Sequence, residues 1–253
     1  MKYVMFMADD DEIRSGIING ELIEETENIF DNEGEIVKTG KTFEMRSVIL
    51  LCPTIPTKAL CVGLNYRDHI EEMKLETPKT PVIFMKPATA VLDPEGEIIR
   101  PEMSTRVDYE AELAIVIKKE CFNVSEEEAK DYILGYTCAN DVTARDLQDK
   151  NGQWTICKGF DTFMPIGPYI SDEVDPENLK IESRLNGKVM QKSNTKNLLF
   201  TCDFLVSYLS KVMTLLPGDV ILTGTPSGIH GMEAGDVIEI EIEGLGILRN
   251  TVI

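Results

Sequence analysis

The stretch RVDYEAELAIVI, residues 106–117, decides the fold predicted for this chain. Its odd-numbered positions are all apolar, whereas its even-numbered positions carry Asp108, Glu110 and Glu112 before they also turn apolar. Alternation with a period of two predicts a β-strand with one buried face. The other face begins acidic and continues apolar, which does not suit a face open to water. We therefore expect these carboxylates to lie at the mouth of a cavity.

A third acid is predicted to join this group. Glu110 and Glu112 stand two apart, so their side chains leave the same face about 6.6 Å apart along the strand. Asp141 ends the next predicted strand, GYTCAND, and two such strands often return side by side. Three close carboxylates raise one another's pKa unless a cation stands among them, and oxygen ligands suit Mg²⁺, Mn²⁺ or Ca²⁺ rather than zinc. The alternative interpretation is an exposed acidic strand edge.

The stretch NYRDHIEEMKLE is predicted to be a short charged helix, and its part YRDHIEEM carries a candidate base. His69 and Glu72 stand three apart, so on a helix they share a face and can hydrogen-bond. A carboxylate that orients an imidazole makes it a better general base near neutral pH. A solvated histidine on a charged helix is the alternative interpretation.

Candidate cations lie in the segment TARDLQDKNGQWTICKGFDTFMPIGP, which is rich in glycine and proline and is predicted to be a shaped loop. Arg145 has the two-point geometry that holds a carboxylate, and Lys158 could stabilise an enolate. Lys86 follows an apolar run at a strand end. The alternative is that these are surface cations paired with neighbouring acids. The segment TGTPSGI, residues 223–229, lacks the G-x-x-x-x-G-K pattern, which excludes nucleotide binding through such a loop.

The remaining segments predict an α+β fold that is mainly β. ALCVGL and PVIFMKP are apolar enough for buried strands, and GYTCANDVTA (135–144) is predicted to be another. Ser125 and Glu128 form a capping-box pattern that predicts a helix over EEEAKDYIL. Near the end, PGDVILTGTP and AGDVIEIEIEG both open with G-D-V-I, which indicates two turns leading into strands.

Residues 1–57 are predicted to form a small β-rich N-terminal domain. Alternating segments there are separated by turn residues at Asn19-Gly20 and at 32–34. Two prolines in CPTIPTK break regular structure, so a larger catalytic domain is predicted over residues 58–253.

Composition limits the partners and the location of the protein. The chain of 253 residues has 25 basic and 44 acidic residues, a formal charge of −19, which argues against nucleic acid or an anionic membrane as partner. No apolar run approaches the length of a membrane span, and the start is too short and too acidic for a signal peptide. The six cysteines include no C-x-x-C pair, so we expect reduced thiols in a cytoplasmic protein.

The order of these segments resembles the fumarylacetoacetate hydrolase family, in its branch of acylpyruvate hydrolases and 2-hydroxyhepta-2,4-diene-1,7-dioate isomerases. The resemblance covers roughly residues 58–253 and is carried by CVGLNYRDHIEEM, PVIFMKPATAV, DYEAELAIVI, GYTCANDVTARDLQ, CKGFDTFMPIGP, LLPGDVILTGTPSGI and GDVIEIEIEGLG. It implies a β-rich catalytic domain around a divalent metal, usually Mg²⁺ or Mn²⁺, in a homodimer or a dimer of dimers. A small N-terminal domain is common in similar proteins.

The resemblance also implies roles for individual residues. The metal ligands would be Glu110, Glu112 and Asp141. The catalytic residues would be His69, Glu72 and Lys158, with the helix that carries the histidine acting as a lid. The substrate-binding residues would be Arg145, Gln148, Thr225 and, less directly, Lys86.

The activity implied is that of a metal-dependent enzyme on an enolisable 2-oxo acid. Hydrolysis of a C–C bond in an acylpyruvate-like substrate, through a metal-stabilised enolate, comes first by a narrow margin. Isomerisation or tautomerisation of a 2-hydroxymuconate-type dicarboxylate, or decarboxylation of an oxaloacetate-type one, is the alternative on the same site. A metal- or metabolite-binding protein without catalysis is the alternative from another class, and a purely structural protein with a solvated acidic sheet edge is the third.

Overall fold

The computed structural model describes residues 1–73, 76–149 and 152–253, and strands dominate it. The strands of the N-terminal region are β1 (Lys2–Met7), β2 (Ile13–Asn19), β3 (Leu22–Thr26), β4 (Lys38–Glu44) and β5 (Ile49–Leu51). The strands of the middle region are β6 (Ala59–Gly63), β7 (Val82–Lys86), β8 (Val91–Leu92), β9 (Glu97–Ile98), β10 (Val107–Asp108), β11 (Ala111–Ile117), β12 (Ile133–Asn140), β13 (Thr143–Ala144) and β14 (Met164–Ser171).

The C-terminal strands and a few short helices complete the described fold. The strands are β15 (Lys180–Leu185), β16 (Lys188–Asn194), β17 (Val220–Leu222), β18 (Gly231–Met232), β19 (Val237–Ile242) and β20 (Gly246–Val252). The α-helices are α1 (Arg67–Met73), α2 (Thr155–Lys158) and α3 (Cys202–Ser210), and the 3₁₀ turns are Met45–Ser47, Ala88–Ala90, Ala129–Tyr132, Arg145–Leu147 and Thr195–Asn197. The predicted mainly β, α+β class is confirmed.

One large sheet joins the N-terminal strands to strands of the middle region and to β17. Its order is β4-β3-β2-β1-β14-β12-β11-β17-β6-β7, with β5 paired to β1 and β8 paired to β14. The N-terminal strands therefore continue the sheet directly, because Lys2 pairs with Ser171 and Tyr3 with Ile170. The smaller sheets are β13-β10-β18 and β16-β15-β19-β20-β9. The division of the chain at residue 57 stays a prediction.

Strand β11 lies in the middle of the large sheet, between β12 and β17. All seven of its residues are buried. The alternation predicted one buried face and a second face that is not open to water; the second face is fully buried, because neighbouring layers cover both faces. One face packs Leu113 and Ile115 with α3 residues such as Leu205, and the other packs Ala114 and Val116 with the N-terminal part of the sheet.

The quoted stretch 106–117 is two strands rather than one. It breaks at Tyr109 and Glu110, where the Tyr109 amide donates to the His230 carbonyl (3.3 Å) and the Glu110 amide donates to Asn140 Oδ1 (3.0 Å). The predicted strand 135–144 also breaks, after Asn140, so that β13 joins a different sheet from β12. Both breaks occur at predicted metal ligands.

The predicted helix after Ser125 is mostly absent. The capping box forms, because the Ser125 amide donates to Glu128 Oε2 (3.0 Å) and the Glu128 amide donates to Ser125 Oγ (3.3 Å). The chain nevertheless makes only a 3₁₀ turn and enters β12 at Ile133. The Lys118 amide donates to the Tyr132 carbonyl (2.7 Å), so sheet pairing replaces the last helical turn.

The helix predicted around His69 is confirmed over Arg67–Met73, and the predicted continuation through Lys74 and Leu75 lies outside the described residues. Within the described parts of the chain, no helix is long and apolar enough to cross a membrane.

The two G-D-V-I openings both lead into strands, as predicted, but their aspartates differ in burial. Asp219, before β17, is buried, and its carboxylate accepts hydrogen bonds from the amides of Thr57 (3.0 Å), Lys58 (3.1 Å) and Leu216 (2.8 Å). It also contacts the Thr57 hydroxyl (2.7 Å) and the Lys58 ammonium. Asp236, before β19, is partly exposed. The first turn thus fixes the segment that enters β6.

We expect the thiols to be unreactive in the native protein. All six cysteines are free and buried, and burial raises the pKa of Cys52 and Cys138 to about 12. Because the thiolate is the reactive form, a disulfide reagent at pH 8 should label almost none of them before unfolding and all six afterwards. Rapid native labelling, followed by peptide mass analysis, would contradict this packing.

Candidate active site

A cavity of about 330 Å³ lies where β6, β11 and β12 end. Eight of the predicted site residues line it: His69, Glu110, Glu112, Asp141, Arg145, Gln148, Lys158 and Thr225. The two others lie behind these: Glu72 beside His69, and Lys86 beside Asp141. The structure therefore brings together predicted site residues that are far apart in the sequence.

Pairing of β11 with β12 creates the acidic cluster. Ala111 pairs with Asn140, so Glu110 and Asp141 lie just beyond the paired ends, where the Asp141 amide donates to the Glu110 carbonyl (2.9 Å). One carboxylate oxygen each from Glu110, Glu112 and Asp141 lies within 4.8 Å of the others. These residues are only 5%, 2% and 1% exposed. Three buried carboxylates this close need cationic partners.

Lys158 is one such partner. It ends α2, and its ammonium donates to Glu110 Oε2 (2.7 Å) and Asp141 Oδ2 (2.5 Å). Burial acts to lower the pKa of this ammonium, but the charges of Asp141 and Glu110 outweigh burial and raise it. Burial likewise acts to raise the pKa of Glu110, but Lys158 and Arg145 outweigh it and lower that pKa. Both groups are therefore charged at neutral pH.

Glu112 differs from the other two acids. Its Oε2 accepts a hydrogen bond from the Gly224 amide (2.7 Å), and no ion pair to it is found among the described residues. Burial and the charges of Asp141 and Glu110 raise its pKa well above the usual range. Gly224 has φ +102°, and a Cβ there would lie 2.9 Å from the Asn65 Cβ, so glycine lets its amide approach Glu112.

These residues fit a divalent cation. A buried carboxylate whose pKa is raised by two neighbouring acids is relieved when a cation enters. The ligand set is oxygen only, as Mg²⁺ and Mn²⁺ prefer, and all three ligand residues line the cavity. Glu110, Glu112 and Asp141 would hold the ion.

Lys86 differs from its predicted place. It is 1% exposed and does not line the cavity; its ammonium donates to Asp141 Oδ1 (2.5 Å) and to the Val142 carbonyl (2.9 Å). A direct substrate contact is not what this geometry offers. Lys86 instead fixes one oxygen of Asp141 while Lys158 contacts the other.

Arg145 is held in place by the protein. Its Nε donates to Asp108 Oδ2 (2.9 Å), its Nη1 donates to Gln148 Oε1 (2.8 Å), and its Nη2 contacts Glu110. Asp108 was predicted to lie with Glu110 and Glu112 at the cavity mouth but was given no role; it is fully buried and is also bound by Arg106. Its position in the acidic half of the quoted stretch was the available signal.

The His69–Glu72 pair forms as predicted. His69 Nδ1 lies 3.4 Å from Glu72 Oε2, which also accepts from the Gly228 amide (3.3 Å). The His69 ring lines the cavity and the residue is 8% exposed. The helix is anchored by Ser193, whose hydroxyl donates to Asp68 Oδ2 (2.6 Å). The imidazole is thus oriented from one side and faces the cavity on the other.

Thr225 is held by Gln191, which the sequence did not reveal. Gln191 Nε2 donates to Thr225 Oγ1 (2.8 Å) and to the Pro226 carbonyl (2.8 Å), and its Oε1 accepts from the Ala111 amide (3.0 Å). One buried amide therefore ties the Thr225 loop to the start of β11. Nothing in the local pattern KVMQKSN distinguishes this glutamine from a solvated one.

Comparison with known families identifies the family to which the chain belongs. The family model for the C-terminal domain of fumarylacetoacetate (FAA) hydrolase matches residues 58–253, and a model described as Rv2993c-like, N-terminal, matches residues 1–53. The chain belongs to the fumarylacetoacetate hydrolase family. Members of this family are enzymes that include isomerases, tautomerases and hydrolases acting on small acids.

Relatives within the fumarylacetoacetate hydrolase family have different activities in their names. An oxaloacetate tautomerase from Xenopus laevis is 46% identical over 82% of this chain and 69% of its own. The structure of a 5-carboxymethyl-2-hydroxymuconate delta-isomerase from Mycobacterium smegmatis has a TM-score of 0.92 and 41% identity, covering 100% of this chain and 99% of its own. That of a fumarylpyruvate hydrolase from Pseudomonas aeruginosa, in complex with Mn²⁺ and pyruvate, has a TM-score of 0.74 and 34% identity, covering 80% and 91%.

Proposed function

We propose that this protein is a metal-dependent isomerase that interconverts the keto and enol forms of a small 2-oxo acid. The observation that carries the proposal is the shared cavity: the acidic cluster, the charged Lys158 and the oriented His69 all face it. Proton transfer next to a carbonyl needs a base and a positive group near the oxygen, and the cavity offers both.

The metal belongs to the proposal as well. Glu110, Glu112 and Asp141 would hold Mg²⁺ or Mn²⁺, and the bound ion would supply Lewis acidity at the oxygens of the 2-oxo acid.

Lys158 is assigned the stabilisation of the enolate. Its ammonium stays protonated because Asp141 and Glu110 raise its pKa, and the residue lines the cavity. A buried cation that is already oriented by two carboxylates needs no reorganisation when negative charge develops on a nearby oxygen.

His69 is assigned the proton transfer. Glu72 contacts Nδ1, which leaves Nε2 of the same ring to take a proton from the carbon next to the carbonyl and to deliver it to the enolate oxygen; the reverse transfer restores the keto form. Such an exchange leaves the carbon skeleton intact. The names of the tautomerase and the delta-isomerase among the relatives support isomerisation as the first candidate activity.

Hydrolysis of a C–C bond is the second candidate. The same oriented His69 could activate water against a second carbonyl, and one structural relative is named a fumarylpyruvate hydrolase. The two candidates differ in the product, since only hydrolysis releases two acids.

An exchange experiment in D₂O tests the proposal. EDTA-stripped protein is given Mg²⁺ and either oxaloacetate or acetylpyruvate, and NMR follows deuterium at the carbon between the carbonyl groups. We expect Mg²⁺-dependent acceleration of deuterium incorporation with an unchanged skeleton. Pyruvate and acetate from acetylpyruvate would favour the hydrolase instead, and loss of CO₂ from oxaloacetate would favour a decarboxylase. No acceleration on either acid would refute the enolisation itself.

The proposal includes a homodimer or a dimer of dimers located in the cytoplasm, as the family resemblance implies. Light scattering on purified protein tests the assembly.

A further inference from the structure

We infer that Trp154, packed on Gly63, is a specificity-determining residue that restricts the cavity to short-chain 2-oxo acids. The inference rests on the proposed function for the head group of the ligand, and it concerns the apolar part of the cavity lining. Trp154 is the single tryptophan of the chain, and it lines the cavity together with Phe84 and Val62.

The Trp154 indole lies very close to the backbone of β6 at Gly63. A Cβ built at Gly63 would lie 2.7 Å from Trp154 Cζ3 and 3.0 Å from Cη2, closer than real Cβ contacts. The backbone at Gly63 has no positive φ, so the need for glycine at this position comes from the indole. The ring thus occupies the space that any other residue at position 63 would fill.

Two further contacts fix the wall. The Phe84 ring meets the indole edge-on, with centroids 5.2 Å apart and planes at 62°. The Trp154 carbonyl accepts from the Lys158 amide (3.0 Å), so the residue also begins the turn that carries Lys158. Lys158 Nζ in turn lies 5.0 Å from the centroid of the Phe84 ring. Because Trp154 and Phe84 both contact Lys158, these two side chains have little freedom to move away from the cavity.

Space in the cavity is limited for this reason. Its volume of about 330 Å³ is near the lower end of the range for ligand pockets, about 300–1,000 Å³. Part of it is needed for the ion and its waters, and in a cavity volume of this kind each water needs about 10–15 Å³. The remaining space suits an acid of oxaloacetate size, whereas a longer chain reaches the indole.

A binding series tests the wall without any turnover. Calorimetry on Mg²⁺-loaded protein would compare 2-oxobutanoate with 2-oxohexanoate. We expect the wild type to bind 2-oxobutanoate more tightly. In Trp154→Ala the ratio of the two affinities should shift by about tenfold or more towards 2-oxohexanoate, the size of effect that extra methylenes have in an apolar pocket. The backbone hydrogen bonds of residue 154 are retained in this variant.

Ile156→Ala is the matched control. Ile156 lies on α2, which begins directly after Trp154, but is 64% exposed and does not line the cavity, so truncation of its side chain should leave the ratio unchanged. The inference is wrong if the wild type binds both acids equally, or if Trp154→Ala leaves the ratio as it was. If 2-oxobutanoate binds but is not enolised, the proposed function is wrong, whereas the affinity ratio still tests the role of Trp154.

Fluorescence gives an independent check of the packing. Because Trp154 is the single tryptophan, emission from the folded protein reports on this wall alone. Gly63→Ala forces the indole to move and should shift the emission of the folded protein. An unchanged spectrum would contradict the contact on which the inference depends.

Discussion

Glu112→Gln is expected to lower turnover of a 2-oxo acid by about 10³-fold while making the metal-free protein more stable than the wild type. Removal of a proposed metal ligand should weaken a positive centre that would contribute several kcal/mol to the transition state, and each 1.36 kcal/mol corresponds to about tenfold in rate. The gain in stability has a separate cause: Glu112 is buried beside two other carboxylates, and no cationic side chain pairs with it among the described residues.

The expected gain in the free energy of unfolding becomes larger as pH rises. Folding raises the pKa of Glu112 above its ordinary value of 4.5, so the unfolded chain loses this proton at a lower pH than the folded chain. The free energy of unfolding of the metal-free wild type therefore falls as pH rises above that value, by about 1.4 kcal/mol per pH unit until the folded group also ionises. Glutamine has no such proton, so Glu112→Gln should lack this loss.

Denaturant unfolding in EDTA, at pH 5 and at pH 8, measures the stability difference. Added Mg²⁺ should stabilise the wild type, by about 2.7 kcal/mol at one hundred times the dissociation constant, and should leave Glu112→Gln unchanged. Glu127→Gln is the control, because it removes the same charge from an exposed position. Equal Mg²⁺ stabilisation of wild type and Glu112→Gln would exclude this residue as a ligand.

Asp219→Asn is expected to lower the free energy of unfolding by about 3 kcal/mol, because the Asp219 carboxylate is buried and serves several donors at once. An amide has only one acceptor oxygen, so donors from Thr57, Lys58 or Leu216 lose their partner. For a chain of this size the loss corresponds to a fall in Tm of about 10 °C.

The second G-D-V-I turn supplies the matched comparison. Asp236 has the same neighbours in sequence but is partly exposed, and it accepts from the Glu233 amide (2.7 Å) and from Asn186 Nδ2 (2.7 Å). Asp236→Asn should change the free energy of unfolding by about 1 kcal/mol or less. Calorimetric scans of the two variants test the difference, and similar Tm values would show that burial of Asp219 is not what stabilises this turn.

The sequence was sufficient to predict the strands around the site, because their pattern is local. Apolar runs such as ALCVGL became β6, and the acids at the end of GYTCAND and in the quoted stretch met where strand pairing was expected to bring them. The family resemblance added roles that spacing alone left open, since an exposed acidic edge fitted Glu110 and Glu112 equally well before their burial was known.

What the sequence did not predict depends on contacts between distant segments. The capping box at Ser125 forms as its sequence predicts. The residues expected to continue the helix after it instead enter β12, which pairs with β11. Both faces of β11 are buried because other layers cover them. Lys86 contacts Asp141 instead of lining the cavity. Gln191, on β16, contacts Thr225 only because folding brings these two distant segments together.

The pairing of β1 with β14 has a consequence for how the protein tolerates being shortened. β1 covers the end of β14 at Ile170 and Ser171, and the Tyr3 hydroxyl adds a hydrogen bond to Asp172 Oδ2 (2.9 Å). Deletion of residues 1–57 would uncover that edge and leave amides and carbonyls free to template self-association. The N-terminal strands thus protect this edge of the sheet. A fragment without residues 1–57 should aggregate under conditions in which the whole chain does not.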